Sequence, residues 1–238
     1  MYYDLHIHSA LSPCGDDTMT INNIFHMAYI KGLDFIAITD HNSLKQQHHL
    51  KQLIETDLLK GKIDFVYGVE LQTQENIHVL AYFQKDTELL PIQEWIDNHL
   101  YKVENNPDYY GHQYICNIND EFVGEEKYLL IQSLNLNIYE VVESIHRFGG
   151  VVILAHIMAK RFGIYEVYHG IPHDLNYDGI EVESIKQYQD LKKLCPTIDD
   201  EFVFMNSDAH RLEDINEPVN QMDKERFDSL WRKCLCKK

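Results

Sequence analysis

Two histidines near the N-terminus have the spacing of ligands to one metal ion. His6 and His8 lie at the end of the mostly apolar segment 2–7, which is predicted to be a β-strand. Side chains two residues apart in a strand point the same way, so both imidazoles could reach one ion. A chain of 238 residues with fourteen histidines is expected to contain about one such pair by chance. The pair is therefore informative only together with further ligands.

Further residues of metal-binding type follow other apolar segments. They are Asp40-His41 after 34–39, Glu70 after 63–69, His156 after 151–155, and Asp208-Ala209-His210 after 202–207. His78 lies close to the start of its own apolar segment, 77–83. The carboxyl ends of the strands in parallel α/β folds and barrels meet at one rim. Groups far apart in the sequence are therefore predicted to share one site.

The chain alternates between predicted strands and helices. Besides the segments above, helices are predicted from Thr20 to Gly32, over 44–59 and over 137–148, and short strands over 180–182 and 202–205. Such alternation without repeats predicts a parallel α/β sheet, either open or closed into a barrel. The segment 84–136 interrupts the pattern and is predicted to be a partly helical insertion. It could be a lid or specificity element, or an inert surface elaboration.

Six segments, taken in order, resemble the motifs of the polymerase-and-histidinol-phosphatase (PHP) family. They are Asp4-Leu5-His6-Ile7-His8-Ser9, Ile38-Thr39-Asp40-His41-Asn42, Gly68-Val69-Glu70, His78 before Ala81-Tyr82-Phe83, Ala155-His156, and Ser207-Asp208-Ala209-His210. Each motif alone is weak, but six in order are specific. The resemblance implies one domain over 1–238, a distorted seven-stranded β/α barrel with an insertion at about 84–136.

The resemblance also implies a set of metal ligands. One ion would be held by His6, His8, Glu70 and Asp208, a second by Glu70 as a bridge with His78 and His156, and a third by His41 and His210. In many relatives a residue in the loop after His-x-His completes the third site. Here we expect Asp16, with Asp17 as the alternative and Cys14 as a bystander. Histidine and carboxylate ligands suit zinc, manganese or iron, so two to three divalent ions are expected.

The expected function is hydrolysis of a small phosphate ester by metal-activated water. Neighbouring ions can lower the pKa of a bound water and hold the phosphoryl oxygens, with Glu70, Asp208 and His210 as the catalytic residues. Lys160 and Arg161 could contact the phosphate, although a solvated basic pair is an alternative reading. The chain has no GxSxG or P-loop motif. The alternatives are a nuclease or proofreading-type phosphodiesterase, and a non-catalytic metal-binding regulatory module.

The composition constrains the partners. A net charge of −17 disfavours long nucleic acid and leaves a small phosphorylated substrate as the expected partner, although plain solubility also explains the charge. No apolar run is long enough for a membrane span and no signal sequence is present, so a cytoplasmic location is expected. Five scattered cysteines are expected to be reduced thiols. The oligomeric state stays open.

Individual ligand candidates also have structural readings. Glu70 could be a surface carboxylate, and His78 a hydrogen-bonded core histidine. We expect Asp40 to have a structural role, as the N-cap of the helix that follows it, because aspartate is a favoured cap. The other eight histidines lack a position at a strand end, so surface or helix roles are expected for them.

Overall fold

The computed structural model describes residues 1–196, 198 and 202–236, and side chains as far as residue 231. The strands of the described part are β1 (Tyr3–Ile7), β2 (Phe35–Ile38), β3 (Asp64–Phe65), β4 (Tyr67–Gln72), β5 (His78–Phe83), β6 (Tyr114–Cys116), β7 (Phe122–Glu125), β8 (Val151–Leu154), β9 (Gly179–Glu181) and β10 (Val203–Phe204). The helices are α1 (Ile21–Lys31), α2 (Leu50–Leu53), α3 (Leu90–His99), α4 (Pro107–Tyr110), α5 (Ile138–Arg147), α6 (Ile164–Tyr168), α7 (Ile185–Leu194) and α8 (Lys224–Cys236).

The central strands form two sheets. The first has the order β1-β2-β3 and is parallel, and the second has the order β10-β9-β8-β5-β4. Strand β5 runs antiparallel to both of its neighbours, so the prediction of an all-parallel sheet was wrong for this strand. The cause is the short link 73–77, in which the Thr73 amide donates to the Ile77 carbonyl. A link of this length permits only an antiparallel return.

Isolated bridges join the two sheets where the site residues lie. Ile7 pairs with Ala209, and His41 pairs with Glu70, both in the parallel sense. The carboxyl ends of β1, β2 and β4 are thereby held beside the segment that follows β10. The mixed α/β class is confirmed, but the hydrogen-bonded strands of the described residues do not close into a barrel. The seven-stranded barrel stays a prediction.

Helices α1 and α5 are supported by local sequence signals. The Thr20 side chain accepts from the Asn23 amide at the start of α1, and Gly32 ends that helix with φ of 86°. Asn137 and Glu140 form a reciprocal capping box at the start of α5. Both helices bury apolar faces in the main core. Their predicted bounds agree with the structure to within one or two residues.

The predicted helix over 44–59 was wrong in its length. The structure has a 3₁₀ turn at Lys45–His49, followed by the single turn of α2. The side chains of Gln46 and Gln47 are buried and bond to the backbone of other segments, with Gln47 Nε2 donating to the carbonyls of Ile38 and Gly68. These tertiary hydrogen bonds replace the regular i to i+4 ladder that the apolar spacing suggested.

The segment 84–136 was predicted to be partly helical, and it holds α3 and α4. It also holds the β6–β7 hairpin, which the sequence pattern did not predict. It packs against the loops that carry site residues. Asn42 Nδ2 donates to the carbonyls of Leu130 and Gln132, and the Tyr114 amide donates to the Ala10 carbonyl. The segment therefore supports the site from one side. In the described part of the chain, no helix is both long and apolar enough to cross a bilayer.

Gly68 marks the closest approach between β2 and β4. A Cβ atom there would lie 2.7 Å from Thr39 Cγ2 and 3.0 Å from the Ile38 carbonyl oxygen. We expect Gly68→Ala to lower the free energy of unfolding by about 1–3 kcal/mol, because the two strands must separate. Urea unfolding followed by circular dichroism measures this. Gly170→Ala, where a Cβ meets nothing within 4 Å, is the control. Equal effects of the two variants would contradict the packing argument.

Candidate metal centre

The Glu70 carboxylate is buried at the centre of the site. It lies in β4 and is 1% exposed. Histidines from four segments surround it, and their nitrogens lie at 2.7 Å (His78 Nδ1), 2.9 Å (His41 Nδ1), 3.2 Å (His156 Nε2), 3.3 Å (His6 Nε2) and 3.4 Å (His8 Nε2) from its oxygens. An isolated buried carboxylate is unfavourable, so this charge requires cationic partners. The predicted convergence of strand ends is present in the structure.

The first group of ligand atoms comprises His6 Nε2, His8 Nε2, Glu70 and Asp208. The two imidazole nitrogens lie 3.2 Å apart, and Asp208 Oδ1 lies 3.3 Å from His6 Nε2 and 3.1 Å from His8 Nε2. Tetrahedral ligands at about 2.0 Å from zinc stand roughly 3.3 Å apart. The group therefore has the spacing of a coordination shell.

His78 and His156 form a second group on Glu70 Oε1. His78 is stacked on the Phe162 ring at a centroid distance of 4.2 Å, and its amide donates to the Phe162 carbonyl. His41 lies on the other carboxylate oxygen, and His41, Glu70 and His78 together can hold one ion. The structure thus places His41 closer to the second group than the family resemblance implied.

Three buried side-chain atoms in this centre lack a hydrogen bond, namely His41 Nδ1, Glu70 Oε2 and His156 Nδ1. His41 Nδ1 and Glu70 Oε2 are 2.9 Å apart, yet neither has a hydrogen-bond partner. Buried polar atoms in proteins are almost always paired. A cation bound between His41 Nδ1 and Glu70 Oε2 would satisfy both, so the residues fit a divalent ion.

The third group differs from the prediction. Ligand atoms of His8, Cys14, His41 and His210 all lie within 4.8 Å of one another. The structure does not bring Asp16 into this group. Its exposed carboxylate accepts from the amide and hydroxyl of Thr18, which hold it toward solvent. Asp17 is exposed as well. Cys14, which we expected to be a bystander, takes the position instead.

The thiols are free where the structure describes them. Cys14, Cys116 and Cys195 form no disulfide. The side chains of Cys234 and Cys236 lie outside the described part of the chain. For those three thiols the expectation of a reduced state agrees with the structure.

Asp40 holds the loop that follows His8. Its carboxylate accepts from the Ser9 amide at 2.7 Å, the Ser9 hydroxyl at 2.6 Å and the Ser12 hydroxyl at 2.8 Å. Ser12 Oγ also lies 2.9 Å from His8 Nδ1, so the chain of hydrogen bonds orients the imidazole. The expected structural role is present, but Asp40 does not cap a helix. Its carboxylate instead accepts hydrogen bonds from three donors of the loop that contains Ser9 and Ser12.

Glu181 is a site residue that the sequence analysis missed. Both of its oxygens lie 3.1 Å from His6 Nδ1, and it accepts from the His156 amide at 2.9 Å and from Asn206 Nδ2 at 2.6 Å. A carboxylate on the outer nitrogen of a histidine fixes its tautomer and directs the other nitrogen to the metal. The available signal was an acidic residue within the apolar strand predicted over 180–182.

Two of the candidate ligands have positive backbone φ angles. His156 has φ of 25° and Asp208 has φ of 51°, both in the left-handed region that side chains rarely adopt. The Glu181 carboxylate accepts a hydrogen bond from the backbone N–H of His156 in this conformation. Such conformations persist only where the surroundings enforce them, and they concentrate at functional sites.

Electrostatics set the protonation of the ligands. Burial raises the pKa of Glu70, but the charges of His78, His6 and His41 lower it well below its usual value, so the carboxylate is ionised. Burial and the charge of His41 lower the pKa of His8 to about 3. That imidazole is neutral at physiological pH. Burial lowers the pKa of His6 and of His41, but neighbouring anionic groups raise both well above the usual value. Metal binding would therefore displace a proton from each of these two imidazoles, since only the neutral form is a ligand.

A cavity of about 510 Å³ opens over the centre. Glu70, Asp208 and four of the histidines line the cavity, as do Lys160, Arg161 and Phe162. Ile131, from the segment 84–136, lines it as well. The cavity therefore brings two positive side chains to the same space as the candidate ions.

A model of the PHP domain matches residues 4–222 of the chain. The chain belongs to the PHP domain family. That match covers every ligand candidate named above. A search of curated proteins found no match.

Several solved structures have a similar fold to this PHP domain. A protein of Bifidobacterium adolescentis named as a metal-dependent phosphoesterase has a TM-score of 0.64 and 17% identity, with 97% of this chain and 96% of that chain covered. The lesion-specific endonuclease PfuEndoQ from Pyrococcus furiosus has a TM-score of 0.61 and 20% identity. An endonuclease Q bound to a 27-mer duplex with an abasic lesion has a TM-score of 0.64 and 19% identity.

The PHP domain described here spans about half the length of the endonuclease Q proteins. Of this chain, 89% and 97% are covered, against 48% and 56% of the two nuclease chains. At these identities the likeness shows the fold alone.

Glu181→Gln tests the orienting role of that carboxylate. The glutamine side chain carries no negative charge, so it cannot replace the carboxylate as the acceptor for His6 Nδ1 and the backbone N–H of His156. We therefore expect metal affinity to fall roughly 10–100-fold with the fold retained. Competition titration with a chromophoric chelator measures the affinity. Glu183→Gln is the matched control, because Glu183 is exposed at the cavity and contacts no ligand histidine. Equal affinities for Glu181→Gln and the wild type would reject the role.

Proposed function

We propose that this PHP domain is a metal-dependent hydrolase of phosphate esters. The observation that carries the proposal is the buried Glu70 carboxylate with five histidine nitrogens within 3.4 Å of its oxygens. Adjacent divalent ions, when bound, generate a hydroxide nucleophile at neutral pH and stabilise the charge of an in-line displacement. Glu70 would bridge two ions, since histidines of both ligand groups lie within 3.4 Å of its oxygens.

The ligand set supports two to three ions. His6, His8, Glu70 and Asp208 would hold the first, and Glu70, His78 and His156 the second, with His41 close enough to contribute. Imidazole and carboxylate ligands suit zinc, manganese or iron. Glu181 and Asp40 would keep the imidazoles oriented, and their buried carboxylates accept hydrogen bonds from the surrounding backbone and side chains.

We propose that Lys160 and Arg161 contact the substrate phosphate. Both line the cavity, as do His156 and His78. The guanidinium group of Arg161 offers paired donors that match a phosphate. The reading of this pair as a surface feature is less favoured, since both residues face the same cavity as Glu70.

The cavity volume and the net charge of the protein both favour a small substrate. Pockets for small molecules measure about 300–1,000 Å³, and the present cavity lies in that range. A net charge of −17 repels a long polyanion, whereas a single ester needs only the local potential of the ions and the two basic residues. We therefore propose a phosphomonoester or nucleotide as the substrate class.

The second candidate is a nuclease. Its support is the fold similarity to the two endonuclease Q structures, at 19–20% identity. Shared fold does not transfer substrate, because the loops around a common metal centre select it. A non-catalytic metal module is less favoured, because ligand types for all the expected ions are retained.

Glu70→Gln is expected to abolish turnover while leaving the fold intact. The wild type should carry about two to three ions per chain. The variant should lose at least one ion, with an activity loss beyond the roughly 10–100-fold of an outer-shell change. Elemental analysis and a phosphoester screen after metal reconstitution measure both. Glu55→Gln, an exposed partner of Lys60, is the control. Less than one ion per wild-type chain would refute the function.

Substrate size separates the two candidates. Under one metal and salt condition, we expect catalytic efficiency to be highest for a nucleoside monophosphate, a bisphosphorylated nucleotide or a sugar phosphate. A single-stranded oligonucleotide and an abasic duplex should react least, because the acidic chain repels them. Initial rates by phosphate release and gel analysis measure the order. The oligonucleotide or the duplex as the fastest substrate would favour the nuclease.

A further inference from the structure

The loop after the His-x-His pair carries a thiol where we expected a carboxylate. Cys14 lines the cavity together with His41 and His210. Its thiol and one nitrogen from each of His8, His41 and His210 lie within 4.8 Å of one another. The ring of His8 lies 4.5 Å from that of His41 and 4.4 Å from that of His210. The four side chains thus form one compact cluster with both nitrogen and sulfur donors.

Backbone contacts on both sides hold Cys14 in this cluster. The Gly15 amide donates to the Ser12 carbonyl, and the Asp16 amide donates to the His210 carbonyl at 2.9 Å. A Cβ on Gly15 would lie 2.5 Å from the Ser9 carbonyl oxygen, so only glycine allows the loop to pass this close. The loop is thereby tied directly to the segment that carries His210.

The opposite side of the loop is held by the segment 84–136. Gly111 has φ of 96°, and a Cβ there would lie 2.3 Å from the Pro13 carbonyl oxygen. The Tyr114 amide donates to the Ala10 carbonyl. The insertion therefore packs against the loop that carries Cys14.

His41 lies between this cluster and the Glu70 carboxylate, since its Nδ1 is 2.9 Å from Glu70 Oε2 and its ring lies 4.5 Å from that of His8. His41 is 7% exposed and faces the cavity, yet its buried Nδ1 has no hydrogen-bond partner. The carboxylate nearest in sequence to Cys14, that of Asp16, is turned toward Thr18. Among the described residues the thiol is therefore the anionic donor that the loop offers to this cluster.

We propose that the Cys14 thiolate is a metal ligand, and that it completes a site with His41 and His210. The inference rests on the proposed metal centre and adds a sulfur donor to it. Sulfur and imidazole donors select zinc over manganese, since manganese prefers oxygen ligands. This site would therefore take zinc even where the Glu70 sites accept a harder ion. Binding converts the S–H group to a metal-bound thiolate and releases one proton to solvent.

Cobalt replaces zinc as a spectroscopic probe. The wild-type protein loaded with Co²⁺ should show a thiolate-to-cobalt charge-transfer absorption in the near ultraviolet. Cys14→Ser should lose that absorption and bind one of its ions at least about tenfold more weakly. Cys14→Asp should keep the ion without the absorption, which shows that the variant is folded and the site intact. Cys195→Ser and Asp16→Asn are the matched controls, and both should retain the absorption.

Alkylation gives a second readout that does not depend on activity. Zinc should slow the reaction of Cys14 with iodoacetamide, measured by mass spectrometry, while manganese should not. Two or more bound Co²⁺ ions without thiolate absorption would overturn the sulfur ligand and leave the proposed function standing. Failure to bind any Co²⁺ would overturn both.

Discussion

The buried charge of Glu70 is the constraint on which the site depends. A carboxylate removed from water is strongly unfavourable unless positive groups surround it. Here histidines supply the partners, and two of the atoms involved, His41 Nδ1 and Glu70 Oε2, have no hydrogen bond between them despite a 2.9 Å separation. Five histidine nitrogens therefore surround one carboxylate, and not all of these atoms are satisfied by hydrogen bonds. The arrangement fits a metal ion, in keeping with a PHP domain.

Around that charge lies a shell of residues whose role is orientation. Asp40 holds the loop after His8, and Glu181 holds His6 and the His156 backbone. Both carboxylates are buried, and each accepts at least three contacts. Because His6 and His8 each have Nδ1 bonded to a neighbouring side chain, their Nε2 atoms are directed toward Glu70. The insertion packs against the loops outside this shell.

The sequence alone determined the ligand types and their common location. Each of His6, His41, Glu70 and His156 follows or ends an apolar run, and this signal is local because a strand buried on both faces reads as continuous apolar sequence. Parallel strand ends converge, so the candidates were expected to meet, and all but Asp16 lie at the site. Helices α1 and α5 were also readable, because their caps are encoded within a few residues.

Only the tertiary structure decided how these parts combine. The direction of β5 depends on a short link, and the loss of the helix over 44–59 depends on hydrogen bonds from Gln46 and Gln47 to distant backbone. Glu181 reaches His6 and His156 because β9 lies beside β8. Cys14 lies beside His41 and His210, whereas the Asp16 carboxylate accepts from Thr18. Each of these outcomes depends on contacts between segments far apart or on competition among donors. Local residue patterns do not encode either one.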